Sequence, residues 1–208
     1  MLVAAFMFLT IAVSLGWLST PDHDVLDYMA GIWQEPLHPL FQAVAELGGL
    51  EVTTLLVAGL VGFLLWRGYG ADAWVGLAFV AVQVFEIFYK LNLYHPQPPA
   101  TVAHTDGPSL TMLFEPSTGA GNSFPSGHMV RAVFVYGVLA FVIRRLAPWP
   151  WARALALPAA VVIIVALAFD RLYLDVHWES DVLGGFLLGA IAMVSATVWL
   201  DRPRRAEN

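Results

Sequence analysis

The stretch Gly121–Ile143, GNSFPSGHMVRAVFVYGVLAFVI, passes from a polar loop into an apolar run without a break. Glycine, proline and serine mark its first residues as a loop. From Ser126 onward the run is apolar and long enough to cross a bilayer. His128 and Arg131 stand at the junction. Because ionisable residues in a membrane span are costly and usually functional, this junction predicts both a membrane fold and a functional site.

The composition of the chain also indicates an integral membrane protein. Of its 208 residues, 59% are hydrophobic and only 12% are charged, whereas a soluble domain carries about 25% charged residues. The net charge of −6 argues against a nucleic-acid partner. The absence of cysteine excludes disulfides, thiolate metal sites and thiol nucleophiles. No repeat or long linker divides the chain, so we expect a single domain over residues 1–208.

Six apolar runs have the length of membrane spans. They are Leu2–Leu18, Leu50–Trp66, Ala73–Lys90, Ser126–Ile143, Arg153–Phe169 and Val182–Leu200. The sequence therefore predicts an all-α integral membrane bundle of six transmembrane helices. The first run lacks the basic start and the cleavage site of a signal peptide, so we expect it to be retained.

The segment Pro21–Leu47 follows the first span and has a different pattern. Thr20 and Pro21 form a helix-start signal, and apolar residues then recur at helical spacing while acids occupy the other faces. We expect an interfacial amphipathic helix here, broken near Pro36 and Pro39.

The basic residues predict how the bundle is oriented. Seven of the ten fall in three segments: Arg67; Arg144, Arg145 and Arg153; and Arg202, Arg204 and Arg205. With both termini in the cytoplasm, six spans place all three segments on the cytoplasmic side, as the positive-inside rule requires. Lys90, Arg131 and Arg171 are then left at the outer helix ends, on the periplasmic or extracellular side.

Residues near these three cations could form one outward-facing anion pocket. A helix N-terminus offers N–H groups to a phosphate, and here Ser126 adds a hydroxyl while Gly127 lets an anion approach the backbone. His177 and Asp181 are four residues apart and share a helix face, so the carboxylate could fix the tautomer of the ring. His128 could donate a proton. Each residue taken singly has a structural reading, as a helix cap or an interfacial anchor, but together they form the set that phosphoryl transfer uses.

Three blocks of the chain resemble the signature of the type 2 phosphatidic acid phosphatase superfamily, a family of membrane lipid phosphate phosphatases. That signature reads Lys, six residues, Arg-Pro; then Pro-Ser-Gly-His; then Ser-Arg, five residues, His, three residues, Asp. The blocks here are Lys90 to Gln97-Pro98, Pro125 to His128, and Asp170-Arg171 to His177 and Asp181.

The resemblance implies a role for each matched residue. His177 would be the nucleophile that forms a phosphohistidine, Asp181 would orient it, and His128 would protonate the leaving oxygen. The phosphoryl oxygens would be held by Lys90, Arg171, Ser126 and the Gly127 amide. The resemblance implies no metal and no other cofactor.

The chain departs from the signature at two positions. Gln97 stands where the family has arginine, and it supplies neither a charge nor a bidentate fork. Arg131 could compensate for it, or could instead reach the lipid headgroups or pair with Glu86 or Glu179. Asp170 replaces the usual serine.

Asp170 either places a negative charge beside the phosphate pocket or pairs with Arg171 and orients it. The remaining histidines, His23, His38, His95 and His104, are expected at the surface, with His95 the one that could line the pocket entrance.

Together with the pattern of spans, the resemblance implies a metal-independent phosphatase for lipid phosphates or pyrophosphates in the cell membrane. Its partners would be a phospholipid or polyprenyl phosphate substrate and the lipid bilayer, with no required protein partner. Two alternatives stay open: a phosphotransferase that passes the phosphoryl group to another lipid or a sugar, and a degenerate site that binds or transports an anionic lipid without hydrolysis.

Overall fold

The computed structural model describes residues 1–99, 103–104 and 121–202. Within these residues the chain forms eight α-helices and no β-strand. The helices are α1 (Leu2–Ser14), α2 (Ser19–Ile32), α3 (His38–Glu46), α4 (Leu50–Trp66), α5 (Val75–Asn92), α6 (Gly127–Leu146), α7 (Pro150–Tyr173) and α8 (Glu179–Leu200), with 3-10 turns at Glu35–Leu37 and Gly70–Asp72. Arg204, Arg205 and most of the loop between α5 and α6 lie outside the described residues.

The helical membrane architecture predicted from the sequence is confirmed. Four segments of the described chain are long and apolar enough to cross a membrane: Glu35–Trp66, Gly70–Asn92, Pro150–Tyr173 and Glu179–Leu200. The pair α1 and α2, bent by 87°, passes the same test jointly and would make a fifth. The count of six spans stays a prediction.

Helix α6 forms the centre of the bundle. It packs most extensively against α7 and α8, and also contacts α4 and α5. Most of its 20 residues are buried, including Phe134 and Val130, which have no exposed surface. Because its neighbours enclose α6, the first turn of this helix is held in a fixed position. The Pro-Ser-Gly-His block leads into that turn.

Two glycines let α8 lie directly against the backbone of α6. A methyl group added at Gly185 would come within 2.4 Å of the Ser126 carbonyl oxygen, and one at Gly189 within 2.8 Å of the Val130 carbonyl oxygen. These positions are four apart, a small-xxx-small pattern that permits close helix contact. The contact is within the chain, and it holds the first turns of α6 and α8 side by side.

The segment after α1 differs from the prediction in two respects, its start and the burial of Asp22. Helix α2 begins at Ser19, so Thr20 is inside the helix, and no side chain caps it because the turn from α1 leads straight into it. The helical segment is broken near Pro36 and Pro39, as the sequence predicts: α2 ends at Ile32, and Pro39 lies in the first turn of α3, where a residue without an N–H is tolerated. Asp22, expected on an acidic outer face, is only 3% exposed because it bonds to Ser180 of α8.

Candidate active site

The first turn of α6 presents a hydroxyl and unpaired N–H groups at one end of the bundle. Ser126 precedes the helix, and its backbone N–H donates to the Asp181 carbonyl oxygen at 3.0 Å. The Ser126 side chain is buried, and its Oγ has no hydrogen-bond partner among the described residues. A buried hydroxyl without a partner is costly, so this oxygen is suited to meet a ligand.

The start of α8 holds a histidine against a buried carboxylate. Asp181 Oδ2 lies 3.3 Å from His177 Nδ1 and accepts the Trp178 backbone N–H at 2.9 Å. Asp181 Oδ1 accepts the Ser123 hydroxyl at 3.1 Å. Asp181 is fully buried and His177 is 8% exposed. The carboxylate therefore holds Nδ1 as the protonated nitrogen and directs Nε2 away from itself.

Four helix ends converge at this point. Lys90 is in the last turn of α5 and Arg171 in the last turn of α7, while α6 and α8 begin there. His128 lies within electrostatic range of His177, Arg171, Arg131 and Lys90. The structure thus brings together the three blocks that the sequence analysis assigned to one pocket.

Arg131 points back along α6 toward His128. Its Nε donates to the Gly48 carbonyl oxygen at 3.0 Å, and NH2 lies 3.4 Å from His128 Nδ1. A guanidinium group only donates hydrogen bonds, so His128 Nδ1 must be the accepting nitrogen. A neutral His128 in this arrangement carries its proton on Nε2, and it would have to gain a second proton before it could act as an acid.

Arg131 also lies 3.6 Å from Glu86 Oε2, while Glu86 Oε1 lies 3.2 Å from Lys90 Nζ. The pairing of Arg131 with Glu86, one of the readings left open by the sequence, is therefore present. One carboxylate thus links two of the three predicted phosphate-binding cations.

The third cation, Arg171, is also paired. Its Nε and NH2 donate to Asp170 Oδ2 at 2.8 and 2.6 Å. Both residues are buried, and Asp170 Oδ1 has no hydrogen-bond partner among the described residues. Asp170 therefore pairs with Arg171 and orients it, one of the two readings that its position allowed.

A family model described as the PAP2 superfamily matches residues 71–205, which contain all nine predicted site residues. The chain belongs to the PAP2 superfamily. Phosphatidylglycerophosphatase B of Bacillus subtilis strain 168 is 43% identical to this PAP2 chain over 70 residues, which are 33% of this chain and 34% of that protein. The matched part is thus about a third of that relative's length.

Two further comparisons cover more of this PAP2 chain. The bacitracin transport permease protein BcrC of Bacillus licheniformis is 30% identical over 159 residues, covering 75% of this chain and 68% of that protein. The crystal structure of a transmembrane PAP2-type phosphatidylglycerolphosphate phosphatase from Bacillus subtilis matches 99% of this chain and 97% of its own, with a TM-score of 0.82 at 24% identity. The second match establishes a shared fold.

Gln97 differs from the other predicted site residues of this PAP2 chain in its exposure. It lies in the irregular segment after α5 and is exposed, whereas the other eight are buried or half-buried. Pro98, which follows it, is buried. The position that the resemblance matches to the family's arginine therefore presents an uncharged, exposed side chain here.

The sequence analysis missed Ser123 and Asp22 near the start of α8, and it considered His95 only as a residue at the pocket entrance. His95 Nε2 lies 3.4 Å from Asp181 Oδ1 and 3.3 Å from Ser180 Oγ, and Ser123 donates to the same carboxylate. Asp22 accepts both the N–H and the hydroxyl of Ser180 at 2.8 Å, and so caps α8. The Asp22 contact joins residues 158 apart in the chain, and no local pattern marks such a pair.

The loop between α7 and α8 contains another buried acid. Asp175 has a positive φ of 53°, no exposed surface, and lies 3.7 Å from His104 Nε2. Neither of its carboxylate oxygens has a hydrogen-bond partner among the described residues. Burial raises the pKa of Asp175 to about 6 and lowers the pKa of His104.

Proposed function

We propose that this PAP2 chain is a membrane lipid phosphatase that hydrolyses a lipid phosphate or pyrophosphate through a phosphohistidine at His177. The observation that carries the proposal is the pair His177–Asp181, held at 3.3 Å beside His128 and the first turn of α6. A buried carboxylate on one ring nitrogen makes the other a better nucleophile. Lys90, Arg171, Ser126 and the Gly127 amide would bind the phosphoryl oxygens.

In the first step, His177 Nε2 attacks phosphorus and the bond from phosphorus to the leaving oxygen breaks. That oxygen takes a proton from Nε2 of His128 in its doubly protonated, imidazolium form, which leaves His128 as a neutral ring. In the second step, water attacks the phosphohistidine and passes a proton to His128, while the phosphorus–nitrogen bond breaks and returns its electron pair to His177. The positive charge that develops on the ring of His177 is stabilised by Asp181.

The chemistry asked of these residues is positioning and charge stabilisation. Cationic side chains and a helix N-terminus can supply both, so we propose that the reaction needs no metal. Arg131 lies 3.4 Å from His128 Nδ1 and orients the ring, which makes it a positioning residue in this mechanism. The variants Arg131→Ala and Gln97→Arg test whether it also offsets the uncharged Gln97.

An apolar groove beside the pocket supports a lipid substrate. It has a volume of about 810 Å³ and lies between α4 and α5, lined by side chains such as Val57, Phe79 and Ile87. Lys90 and Arg131 line its end. A lipid tail could therefore stay in an apolar environment while its headgroup reaches the first turn of α6.

The position of the arginines supports an outward-facing site. Arg67 follows α4, and Arg144 and Arg145 are in the last turn of α6, at the end of the bundle away from Lys90. The positive-inside rule then puts these arginines and both termini in the cytoplasm, and the pocket at the periplasmic or extracellular face. By likeness to the relatives that are named for it, phosphatidylglycerophosphate is one substrate to test, and a polyprenyl pyrophosphate is another.

The deciding experiment measures inorganic phosphate released from each lipid by the detergent-solubilised protein. We expect release that is lost in His177→Ala, is kept in His38→Ala as a matched histidine control, and is unchanged by a chelator. A smaller effect of His128→Ala on a pyrophosphate than on a monoester is expected, because a phosphate leaving group needs less protonation than an alkoxide.

One relative carries the name of a transport permease, so a non-hydrolytic lipid binder is the alternative to test. Lipid binding without phosphate release in the wild-type protein would favour it over the phosphatase. Product that forms only when an acceptor lipid or sugar is added would indicate a phosphotransferase. Release that survives His177→Ala, or that stops with chelator, would contradict the proposed mechanism.

A further inference from the structure

The carboxylate of Glu86 lies against the cations that the proposed pocket would use to bind the phosphate of its substrate. It belongs to α5, is 4% exposed, and has Lys90 Nζ on one oxygen at 3.2 Å and Arg131 NH1 on the other at 3.6 Å. Both cations thus face a carboxylate of the chain itself. The mechanism proposed above gives Glu86 no role.

The same carboxylate lies against the first residue of α6. A methyl group added at Gly127 would come within 2.1 Å of Glu86 Oε1 and 3.0 Å of Arg131 NH1. The missing side chain at Gly127 therefore admits an anion to the helix N-terminus, and in this structure that anion is Glu86. Ser126, which precedes Gly127, is buried, and its Oγ has no hydrogen-bond partner among the described residues.

We propose that Glu86 is a resident counter-anion that a phosphate group must displace from Lys90 and Arg131, and that this displacement excludes singly charged phosphodiester lipids from the pocket. The inference deepens the proposed function, on which its biological meaning rests. Phosphodiester lipids are the bulk of a membrane and outnumber any lipid monoester. A phosphatase in the membrane must therefore discriminate against phosphodiester lipids if its pocket is to stay available to its substrate.

The selection follows from charge. A phosphodiester carries one negative charge, so exchanging Glu86 for it leaves the charge facing the two cations unchanged, and the exchange still costs the displacement of a buried carboxylate. A phosphate monoester carries up to two charges at neutral pH, because its second pKa is near 6. Only the exchange of Glu86 for a doubly charged monoester increases the attraction to Lys90 and Arg131. In a poorly solvated pocket that increase is large.

The structure leaves room for the displaced side chain. Glu86 lines the groove between α4 and α5, which has a volume of about 810 Å³, and Thr54 and Gln83 line the same groove. The Thr54 hydroxyl and the Gln83 amide nitrogen can each donate a hydrogen bond to a carboxylate. Rotation of Glu86 toward these polar side chains would clear the start of α6 for the incoming phosphate.

The test compares the binding of two small anions to the detergent-solubilised full chain by calorimetry. Inorganic phosphate represents the doubly charged group, and dimethyl phosphate represents the phosphodiester. In the wild-type protein we expect phosphate to bind more tightly than dimethyl phosphate. In Glu86→Gln, the Kd of dimethyl phosphate should fall by about tenfold or more, as expected when its charged competitor is removed, and the preference for phosphate should shrink.

Glu51→Gln is the matched control. Glu51 lines the same groove, and no pairing of its carboxylate with Lys90 or Arg131 is seen in the described chain, so its removal should change neither Kd. If Glu86→Gln does not fold, Glu86→Met replaces it as the test variant, because methionine keeps the length of the side chain without the charge. In turnover assays, phosphatidylglycerol should become a competitive inhibitor of the Glu86 variant but not of the wild type.

Unchanged Kd values for both anions in Glu86→Gln, with only a lower melting temperature, would overturn the inference and leave Glu86 as a structural ion pair. The binding readout separates this result from a failure of the proposed function. If no lipid is hydrolysed but the variant still binds dimethyl phosphate more tightly, the phosphatase proposal fails and the role of Glu86 stands.

Discussion

Replacement of Asp181 by asparagine tests how much the buried carboxylate contributes to the reactivity of His177. Asparagine and aspartate have nearly the same size and shape, so the change removes charge and leaves the packing of the α8 start intact. If the amide oxygen takes the place of Oδ2, it still accepts from Trp178 N–H at 2.9 Å and from His177 Nδ1 at 3.3 Å. The amide NH2 then faces Ser123, whose hydroxyl can rotate to accept.

The expected loss follows from that geometry. A hydrogen bond to a charged group contributes about 1.5–3 kcal/mol, which corresponds to about 10- to 150-fold in rate. Ser123→Ala removes a neutral donor from the same carboxylate, and it should cost about 0.5–1.5 kcal/mol, or about 2- to 12-fold. The asparagine variant should therefore be clearly the slower of the two.

The assay is single-turnover hydrolysis of a short-chain lipid phosphate at saturating enzyme, with folding checked by size-exclusion chromatography and melting temperature. A rate for Asp181→Asn within about threefold of wild type, or one equal to that of Ser123→Ala, would refute the reasoning. The carboxylate would then serve only to cap α8.

Other changes probe the neighbouring groups. Arg131→Ala should lower turnover by about tenfold or more. Gln97→Arg should raise turnover if the missing charge limits the wild type. Unchanged turnover in both variants would contradict compensation by Arg131. Asp175→Asn should stabilise the protein at pH 7.5 by up to about 3 kcal/mol, as measured by thermal unfolding. The pKa of Asp175 is about 6 in the folded state, above the unfolded value of 3.8, so the wild type loses stability as the pH rises from 3.8 to 6. The advantage of Asp175→Asn should therefore disappear near pH 4. A constant difference in stability at all pH values would point to the contacts with His104 instead. Asp22→Ala removes the cap of α8 and should cost about 0.5–2 kcal/mol of unfolding free energy together with a lower kcat, whereas an unchanged melting temperature would show that the cap is not needed.

Local patterns in the sequence predict the parts of this molecule that depend on neighbours along the chain. The apolar run Leu50–Trp66 coincides with α4, since length and apolarity alone define a span. His177 and Asp181 meet because residues four apart share a helix face. The pairing of Arg171 with Asp170 joins adjacent residues.

Contacts between distant segments could not be predicted in this way. Asp22 was placed on a solvent-facing side of an amphipathic helix, because nothing near it indicates that the start of α8 lies against it. His95 was expected at most at the pocket entrance, and its contact with Asp181 at 3.4 Å could not be derived from the sequence. Glu86 was considered as a partner of Arg131, but its position against Gly127 depends on the packing of α5 on α6. Long-range contacts follow from helix packing, which one sequence specifies only through the whole fold.

The central claim is that His177 carries the phosphoryl group during turnover, and trapping that species tests it most directly. The protein would be mixed with a lipid whose phosphate is radiolabelled, quenched within one turnover, and analysed for protein-bound label. We predict a bound label that is stable in base and released in acid, as a phosphorus–nitrogen bond requires, and that is absent in His177→Asn. Turnover with no trapped label, or a label that persists in His177→Asn, would contradict the account.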